Sequence, residues 1–278
     1  MSDPLSKNLS ATVDGGAPQL TPQQAIANLK QTEDTGDRYY AAWWIGRFGV
    51  DEPDAVNALL AALSDDRDRD TDGGFPLRRN AARALGKVGN ADVIPALIDC
   101  LECDDYYVRE AAAQSLEMLN ATAAIAPLIA LLTGGVEGAI AVPGKPHLVQ
   151  PYNAILEALG GLGDKSVTAT IEPFLQHTVP QVKNGAARAM YQLTGQSQYA
   201  DILTETLRCD DLQLRRSALL DLGEVGYLAA ADAIANTLAE NSIKLISLKG
   251  LLEKQVSESD TLLSQETRKV MSLMDSLL

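Results

Sequence analysis

One motif recurs about every 31 residues along this chain of 278 residues, and it restricts the folds that the chain can adopt. In its second copy, residues 80–86 have the sequence NAARALG, in which small residues precede a leucine and a glycine. Self-similarity at a fixed period is typical of arrays in which each copy packs only on its neighbours. The last residue of the motif, which we name the glycine position, is Gly46, Gly86, Glu117, Gly160, Tyr191 and Gly223 in successive copies, with a degenerate copy near Gly250.

The residues around the glycine position have the spacing of an amphipathic helix. An apolar residue stands immediately before it and another two residues after it, and small residues, mostly alanine, stand four and five residues before it. A turn and a second apolar run, such as residues 93–101 or 125–132, follow each copy. Two helices per repeat, with no alternation typical of strands, predict an all-α fold, an α-solenoid of about six to seven helix pairs that resembles HEAT-like repeats.

The repeats divide the chain into three parts. Residues 1–20 contain Ser, Asp, Gly and Pro and few apolar side chains, so we expect a disordered N-terminal tail. Thr21, followed by a proline, is typical of a helix start, and residues 21–36 are predicted to form a helix that caps the array, which extends over residues 21–256. The apolar stripe of a last helix, within residues 257–278, either closes the other end of the array or receives a partner.

The composition excludes several classes of function. A formal net charge of -14 disfavours binding to a nucleic-acid backbone or to an anionic membrane surface. The sequence has no signal peptide and no apolar run long enough to cross a bilayer, so we expect a cytoplasmic protein with no membrane insertion. Cys100 and Cys103 have a C-x-x-C spacing, but without a second pair we interpret them as structural rather than as a zinc or redox site.

Two insertions lengthen the repeats. The first, residues 64–76, alternates aspartate with arginine, but it lacks the glycine and the glutamate of an EF-hand at their required positions, so we predict no metal site. The second, residues 133–147, is rich in glycine and proline and contains no phosphate-binding motif. It ends at His147, for which two interpretations stay open: a loop histidine on the surface, or a polar contact in a ligand pocket.

Bulky aromatic residues distinguish the first copy of the motif from all later copies. Seven and three residues before the glycine position, later copies have mostly polar side chains, which we expect to face solvent, whereas the first copy has Tyr39 and Trp43. Two residues before the glycine position the first copy has Trp44, where later copies have Ala, Ser or Asp. Either the N-terminal cap helix covers these rings, or they form a groove for a flat conjugated ligand or an anchor for a partner protein.

One position of the motif, next to the aromatic segment in the first copy, is basic in most copies. Arg38 and Arg78 occupy the position eight residues before the glycine position, where arginine or lysine also occurs in three further copies. Such residues most simply bridge to an acidic residue in the preceding turn, but Arg78 and Arg79 could also hold ligand carboxylates by paired N–H donation. No nucleophile–His–carboxylate arrangement, metal quartet or paired-acid motif is apparent, so the residues alone indicate protein–protein interaction.

The segment RYYAAWWIGRF, residues 38–48, resembles the characteristic segment of the alpha subunits of heterodimeric phycocyanobilin lyases of cyanobacteria, the E/F-type family. The resemblance extends over most of the chain, including its length, its alanine-rich HEAT-like repeats and the run RNAARALG at residues 79–86. It implies an enzyme subunit that is active only with a second HEAT-like subunit. Together such subunits attach phycocyanobilin, an open-chain tetrapyrrole, by a thioether to a cysteine of the phycocyanin alpha chain.

The resemblance also implies roles for individual residues. Aromatic rings pack the bilin, arginines bind its two propionates, and the carboxylate of Asp37 faces the pyrrole nitrogens, where protonation makes the ethylidene side chain more electrophilic. The acceptor protein supplies the nucleophilic cysteine, so no cysteine of this chain is expected to be essential, and no cofactor is implied besides the bilin substrate. The implied bilin-binding residues are Tyr39, Tyr40, Trp43, Trp44, Arg38, Arg47, Arg78, Arg79 and His147.

The sequence leaves other functions open. A related branch of the family acts on phycoerythrocyanin and isomerises the bilin during attachment, and the residues that mark this activity belong to the partner subunit. A non-catalytic HEAT-repeat adaptor or assembly factor also fits the sequence, as does a HEAT-like scaffold outside photosynthesis.

Overall fold

The computed structural model describes residues 20–258 and 264–278. Within these ranges the chain is helical, and the only strand-like pairing is an isolated bridge between Ala141 and Leu148. The predicted all-α solenoid of helix pairs is therefore confirmed. The predicted tail, residues 1–20, lies outside the described residues except for its last position.

The chain forms two compact units, one ending at Gly89 and the other beginning at Asn90. The first helix begins with a capping box, in which the Thr21 hydroxyl accepts from the Gln24 N–H at 3.2 Å and the Thr21 N–H donates to Gln24 Oε1 at 2.9 Å. The helices of the first unit are α1 (Pro22–Lys30), α2 (Thr35–Phe48), α3 (Pro53–Leu63) and α4 (Pro76–Val88).

The predicted capping helix, residues 21–36, is shorter in the structure. Helix α1 ends at Lys30 because Gln31 adopts an extended conformation. Gln31 Oε1 accepts the backbone N–H of Asp34 at 2.9 Å, so a turn made by a side chain separates α1 from α2. Helix α1 packs on α2 and α3 and buries Leu29.

The second unit contains a row of longer helices with shorter helices between them. Its helices are α5 (Ile94–Asp99), α6 (Tyr106–Met118), α7 (Ile125–Leu131), α8 (Gly135–Gly138), α9 (Tyr152–Gly161), α10 (Thr168–Ile171), α11 (Pro180–Thr194), α12 (Ser197–Thr206), α13 (Leu212–Val225), α14 (Ala231–Asn236), α15 (Asn241–Glu258) and α16 (Gln265–Asp275). The longer helices α6, α9, α11, α13 and α15 pack side by side in this order, and each contains one copy of the glycine position. Most of the shorter helices correspond to the second apolar run of a repeat.

Glycine recurs in the motif because neighbouring helices touch at that point. In the first unit, a Cβ atom added to Gly46 of α2 would lie 2.6 Å from the Cα of Ala84 in α4. In the second unit, a Cβ atom added to Gly160 of α9 would lie 2.4 Å from the Cα of Ala189 in α11. Carbon atoms normally pack at about 3.5–4.0 Å, so a larger side chain at either position would push the two helices apart.

Neighbouring elements contact the second insertion, residues 133–147, and the residues just after it. Arg109 of α6 donates from Nε to Gln150 Oε1 at 2.9 Å, just after the insertion. Nε2 of the buried His177 ring lies 3.3 Å from the carbonyl oxygen of Ala139, inside the insertion. The first contact joins α6 to the residues just after the insertion, and the second joins the insertion to the segment that precedes α11.

The end of the second unit differs from the predicted division at residue 256. Helix α15 continues to Glu258, because residues 251–256 contain neither proline nor glycine. The last helix, α16, begins at Gln265. It packs on α14 and α15 and buries Val270, which is the arrangement expected if α16 covers the apolar residues of those helices.

Some positions that the repeat pattern predicts to face solvent are mostly buried. The side chains of Glu157 in α9 and Arg188 in α11, three residues before the glycine position, are 14% and 12% exposed. They form a group of charged side chains with Glu117 of α6 and Asp221 of α13. The prediction is wrong at these positions because the periodicity of one helix does not reveal side chains that reach across from adjacent helices.

Candidate functional site

The exposed face of α2 presents three of the aromatic residues that are predicted to bind a ligand. Tyr39 and Trp43 are 37% and 43% exposed, and Tyr40 is half-buried beside them. The rings of Tyr40 and Trp43 are stacked, with their centroids 5.5 Å apart and their planes inclined by 28°. Arg47 is exposed one helical turn after Trp43, on the same face. This surface offers ring faces and a guanidinium to a flat, conjugated, negatively charged ligand.

Trp44 belongs instead to the core of the first unit. It is 7% exposed, and its ring centroid lies 4.6 Å from that of Phe48. The position two residues before the glycine position is also buried in later copies, for example at Ala84 and Ala158. The repeat therefore directs this side chain inward, and the prediction that Trp44 contacts a ligand is corrected. The alternative interpretation, in which the N-terminal cap helix covers the rings, does not describe Tyr39 and Trp43, which stay exposed.

A buried ion pair holds the Arg38 side chain away from the exposed face of α2. Its Nη2 donates to Asp65 Oδ2 at 2.5 Å, and its Nε donates to the carbonyl oxygen of Leu29 at 3.3 Å. Hydrogen bonds from Arg67 and Arg38 hold the pKa of Asp65 well below its ordinary value, so the carboxylate stays ionised. The prediction that Arg38 binds a ligand carboxylate is corrected, because its donors join α2 to α1 and to the first insertion.

Arg78 is likewise engaged within the first unit. Its Nε donates to the carbonyl oxygen of Asp65 at 2.8 Å, and its guanidinium lies 3.8 Å from the ring centroid of the buried Phe75. Arg79, the next residue, is half-buried on α4. Of the four arginines predicted to bind a ligand, Arg47 is the exposed one.

Asp37, the predicted catalytic carboxylate, is exposed in the first turn of α2. Its backbone N–H donates to Oδ1 of the N-cap Asp34 at 2.9 Å, which fixes the start of the helix. Tyr40 is three positions after Asp37, so the carboxylate lies at the N-terminal edge of the aromatic face. From there it can accept hydrogen bonds from the N–H groups of a ligand that lies on the rings.

His147 lies in the second unit, where it belongs to another aromatic cluster. Its ring stacks on Tyr106 with centroids 4.2 Å apart, and Tyr107 meets it edge-on at 5.8 Å. His147 Nδ1 lies 2.8 Å from the carbonyl oxygen of Leu148, so this nitrogen donates and Nε2 of the neutral ring can accept. The sequence analysis missed both tyrosines, although two adjacent aromatics at the start of α6 were a visible signal.

Two acidic residues of the first insertion accept hydrogen bonds from within the protein. Asp65 accepts from Arg38 and Arg67, and Asp70 Oδ1 accepts the N–H of Gly74 at 2.7 Å. In the part of the chain that the structure describes, no group of three or more His, Cys, Asp or Glu side chains could hold a metal ion. None of the three cysteines, all within that part, forms a disulfide.

Over residues 20–258 and 264–278, no helix has both the length and the apolar character needed to cross a bilayer.

Models of known protein families match most of the array. HEAT repeats match residues 69–139 and 151–223. The PBS lyase HEAT-like repeat matches residues 37–65, a segment that contains the aromatic face of α2.

Individual relatives match nearly the whole chain. It is 61% identical over 263 residues to the phycocyanobilin lyase subunit alpha of Nostoc sp. strain PCC 7120, covering 94% of this chain and 95% of that protein. It is 42% identical over 243 residues to the bilin biosynthesis protein PecE of the same strain, covering 87% of this chain and 90% of that protein. A chain in the solved complex of CpcE and CpcF of phycocyanin lyase from Nostoc sp. PCC7120 has a TM-score of 0.87 and 58% identity, covering 98% of this chain and 100% of that chain. Identity at this level over almost the full length shows that the chain belongs to the family of phycocyanobilin lyase alpha subunits.

Proposed function

We propose that this chain is the alpha subunit of a heterodimeric bilin lyase, which attaches phycocyanobilin by a thioether to a cysteine of the phycocyanin alpha chain. The main support is the 61% identity with the phycocyanobilin lyase subunit alpha of Nostoc. The solved complex of CpcE and CpcF, which contains a chain 58% identical to this one, supports a second HEAT-like subunit as the partner. The proposed reaction takes place in the cytoplasm, where phycobilisomes are assembled, and it needs no cofactor besides the bilin substrate.

In this proposal the exposed face of α2 binds the bilin. The conjugated rings of the bilin pack on the stacked Tyr40 and Trp43 and on Tyr39, because aromatic faces attract flat conjugated surfaces. The guanidinium of Arg47, one turn along the same face, pairs with a propionate. The half-buried Arg79 of α4 is the second candidate for a propionate.

In the proposed chemistry this chain positions the bilin and the thiol, and the acceptor protein supplies the nucleophile. The sulfur of the acceptor cysteine bonds to the CH carbon of the ethylidene double bond, and the ring carbon at the other end of that double bond gains a proton. The thiol loses a proton, so nothing is oxidised or reduced overall. Asp37 accepts hydrogen bonds from the pyrrole N–H groups and so favours the protonated, more electrophilic bilin. Holding the thiol and the ethylidene carbon in contact replaces a bimolecular encounter by an intramolecular step.

The proposal is tested by producing the chain together with the partner subunit, phycocyanobilin and the phycocyanin alpha chain. We expect an acceptor band with zinc-enhanced bilin fluorescence on a denaturing gel, and we expect Trp43→Ala to abolish it. Phe48→Ala, which removes an exposed aromatic ring of the same helix outside the proposed face, serves as the control. If the acceptor stays free of bilin although both subunits are folded and bound, the chain is a non-catalytic adaptor.

A second candidate is the lyase-isomerase subunit that acts on phycoerythrocyanin. The 42% identity with PecE supports it more weakly than the 61% identity with the phycocyanobilin lyase subunit supports the first candidate. The absorbance of the attached bilin distinguishes the two, because isomerisation shortens the conjugated system and moves the absorption maximum to shorter wavelength.

A further inference from the structure

The last two helices of the second unit form an apolar groove that the proposed bilin site does not use. Helices α15 and α16 pack side by side, and Asn241 Nδ2 at the start of α15 donates to the carbonyl oxygen of Leu277, just after α16, at 2.8 Å. The two helices are therefore antiparallel. The groove between them, which we name the terminal groove, has a volume of about 380 Å³. Its apolar lining comes from both helices and includes Leu245 and Leu252 of α15 and Met271 and Met274 of α16.

The terminal groove is open to solvent. Ile246 of α15 and Met271 of α16, which both line it, are 57% and 46% exposed although both side chains are large and apolar. Leu278 lines the groove beyond the end of α16 and is also exposed. The charged residues that line it are Lys249 and Asp275. An exposed apolar surface with a few charged neighbours is typical of a site where a protein partner binds.

Helix α16 also differs from the first helix of the chain in the residues that it exposes. The exposed residues of α1 are Gln23, Gln24, Ala27 and Lys30. A terminal helix of a repeat array normally has such a polar outer face, because that face stays in water. Helix α16 buries Val270 against its neighbours, and yet it also exposes Met271 to solvent. It therefore has apolar residues on two sides, as a helix inside an array has, and its second apolar side is available to a further helix.

We propose that the terminal groove is the docking site for a terminal helix of the second HEAT-like lyase subunit, which extends the row of helices in the second unit beyond α16. This assignment rests on the proposed function, which names that subunit as the partner. A HEAT-like subunit consists of amphipathic helices, and such a helix buries its apolar side in a groove between two others. Methionine side chains are flexible, so Met271 and Met274 can adapt to the surface of a different protein.

The charge of the chain disfavours a second copy of itself as the occupant. The formal net charge is -14, so two copies repel each other as they approach. Lys249, the basic residue of the groove, is paired with Glu253 of the same helix at 2.9 Å, which weakens its attraction for the acidic residues of another copy. The solved complex of CpcE and CpcF, in which one chain is 58% identical to this one, likewise joins two different proteins.

The first experiment places a carboxylate in the terminal groove. The full chain is titrated with the second subunit, in the absence of bilin and acceptor, and titration calorimetry measures the affinity. Met271→Asp is expected to weaken binding by about thirtyfold or more, because docking would bury a carboxylate that has no partner. Ile246→Asp, on the opposite helix, is expected to have the same effect. Since both residues are exposed, the circular dichroism and the melting temperature of each variant alone should match those of the wild type.

Each of these variants has a matched control elsewhere in the second unit. Met118 at the end of α6 is 54% exposed, and Ile140 in the second insertion is 59% exposed. Met118→Asp and Ile140→Asp introduce the same charge at a similar exposure outside the groove, so both are expected to bind the second subunit as the wild type does. Met271→Leu keeps the groove apolar and is expected to retain the wild-type affinity within about twofold.

Methionine methyl groups provide a measurement that requires no substitution in the groove. The chain has five methionines, of which Met271 and Met274 line the groove. Met118 and the buried Met190 lie elsewhere in the second unit. In nuclear magnetic resonance spectra of the chain with isotope-labelled methionine methyl groups, the second subunit is expected to shift the signals of Met271 and Met274 and to leave those of Met118 and Met190 in place.

The opposite results would overturn the docking site. If Met271→Asp and Ile246→Asp bind the second subunit as well as their controls do, that subunit docks elsewhere, and the transfer assay still tests the proposed function independently. If the wild-type chain alone sediments as a dimer that Met271→Asp dissociates, the groove binds a second copy and the proposed occupant is wrong. A wild-type chain that does not bind the second subunit overturns the docking site and the proposed function together.

Discussion

Arg38 Nη2 and Asp65 Oδ2 lie 2.5 Å apart in an ion pair whose side chains are each 5% exposed. The two residues are 27 positions apart in the sequence, and the pair joins the first turns of α2 to the insertion that follows α3. The helix that this ion pair holds at Arg38 presents Tyr39 and Trp43 on its exposed face. The insertion holds the helix in place through Asp65.

Replacing Arg38 by alanine is expected to destabilise the protein by about 3–5 kcal/mol, since it leaves the buried carboxylate of Asp65 without its buried partner. Unfolding by urea, followed by circular dichroism, measures the change. Arg38→Ala combined with Asp65→Ala is expected to recover part of the loss, because the carboxylate that loses its buried partner is then also removed. A loss of less than about 1 kcal/mol in the single variant, the range of exposed pairs, would contradict this interpretation.

The lowered pKa of Asp65 predicts how stability depends on pH. The hydrogen bond from Arg67 is its largest cause, followed by that from Arg38. Since the folded pKa lies below the unfolded value of about 3.9, ionised Asp65 stabilises the fold above that pH, and this contribution is lost as the pH falls through the folded pKa. Arg67→Gln is therefore expected to be less stable than the wild type at neutral pH, with a difference that narrows as the pH is lowered below about 4.

An acid titration of both proteins, followed by thermal unfolding at each pH, measures this difference. Arg69→Gln is the matched control, because Arg69 is an exposed arginine of the same loop whose guanidinium lies over the ring of Phe75. Its effect on stability should not change with pH over the same interval. A constant difference between Arg67→Gln and the wild type would show that Arg67 does not act through the ionisation of Asp65.

Much of the fold could be predicted from the sequence, because each repeat is a local structure whose helices follow from residue spacing. The structure adds the reason for the glycine position, which is a point where two helices touch, as at Gly46 and Ala84. Differences between the copies of the motif also distinguished the aromatic first copy from the others, and Tyr39 and Trp43 are indeed exposed. It could not separate Trp43 from Trp44, since neighbouring positions on one helix differ in burial only through what packs against them.

The parts that could not be predicted depend on contacts between distant residues. Arg38 pairs with an acid that lies after the next helix, not in the preceding turn, and the insertion had to fold back to supply it. Arg188 and Glu117 are 71 positions apart, and only the packing of α6, α9 and α11 brings them together. Spacing along the chain gives the direction of a side chain from its own helix, but not the partner that meets it.

The close contact between α2 and α4 predicts that Gly46→Ala is destabilising by about 1–3 kcal/mol, as overpacking of a tight interior usually is. The added methyl group would lie 2.6 Å from the Cα of Ala84, so the helices must separate. Thermal unfolding measures the effect. Gly36→Ala in the same helix is the control, because its added Cβ would meet only Asp34 Oδ1, at 3.2 Å, and its stability should change by about 1 kcal/mol or less.

The two adjacent tryptophans are expected to respond in opposite ways to replacement by alanine. Trp44→Ala creates a cavity in the first unit and should destabilise it by about 3–5 kcal/mol, while bilin transfer persists at temperatures where the variant is folded. Trp43→Ala should cost about 1 kcal/mol, the value of its stacking on Tyr40, and should abolish transfer. Melting temperatures and the transfer assay on the same samples test both. Equal losses of stability would contradict the assignment of one ring to the core and the other to the ligand.

Arg47 provides the most direct test of the proposed bilin orientation. If its guanidinium pairs with a propionate on the exposed face of α2, Arg47→Gln should weaken bilin binding to the heterodimer about fivefold, the equivalent of about 1 kcal/mol for a partly exposed ion pair. Lys87 occupies the corresponding position of α4, one residue after Gly86, and is also basic and exposed, so Lys87→Gln is the matched control. Titration followed by the absorbance of the bilin measures both affinities, and added salt should reduce the difference between them. Equal affinities of the two variants would show that Arg47 does not bind the propionate. Arg79 would then be the remaining candidate, because hydrogen bonds within the first unit already engage Arg38 and Arg78.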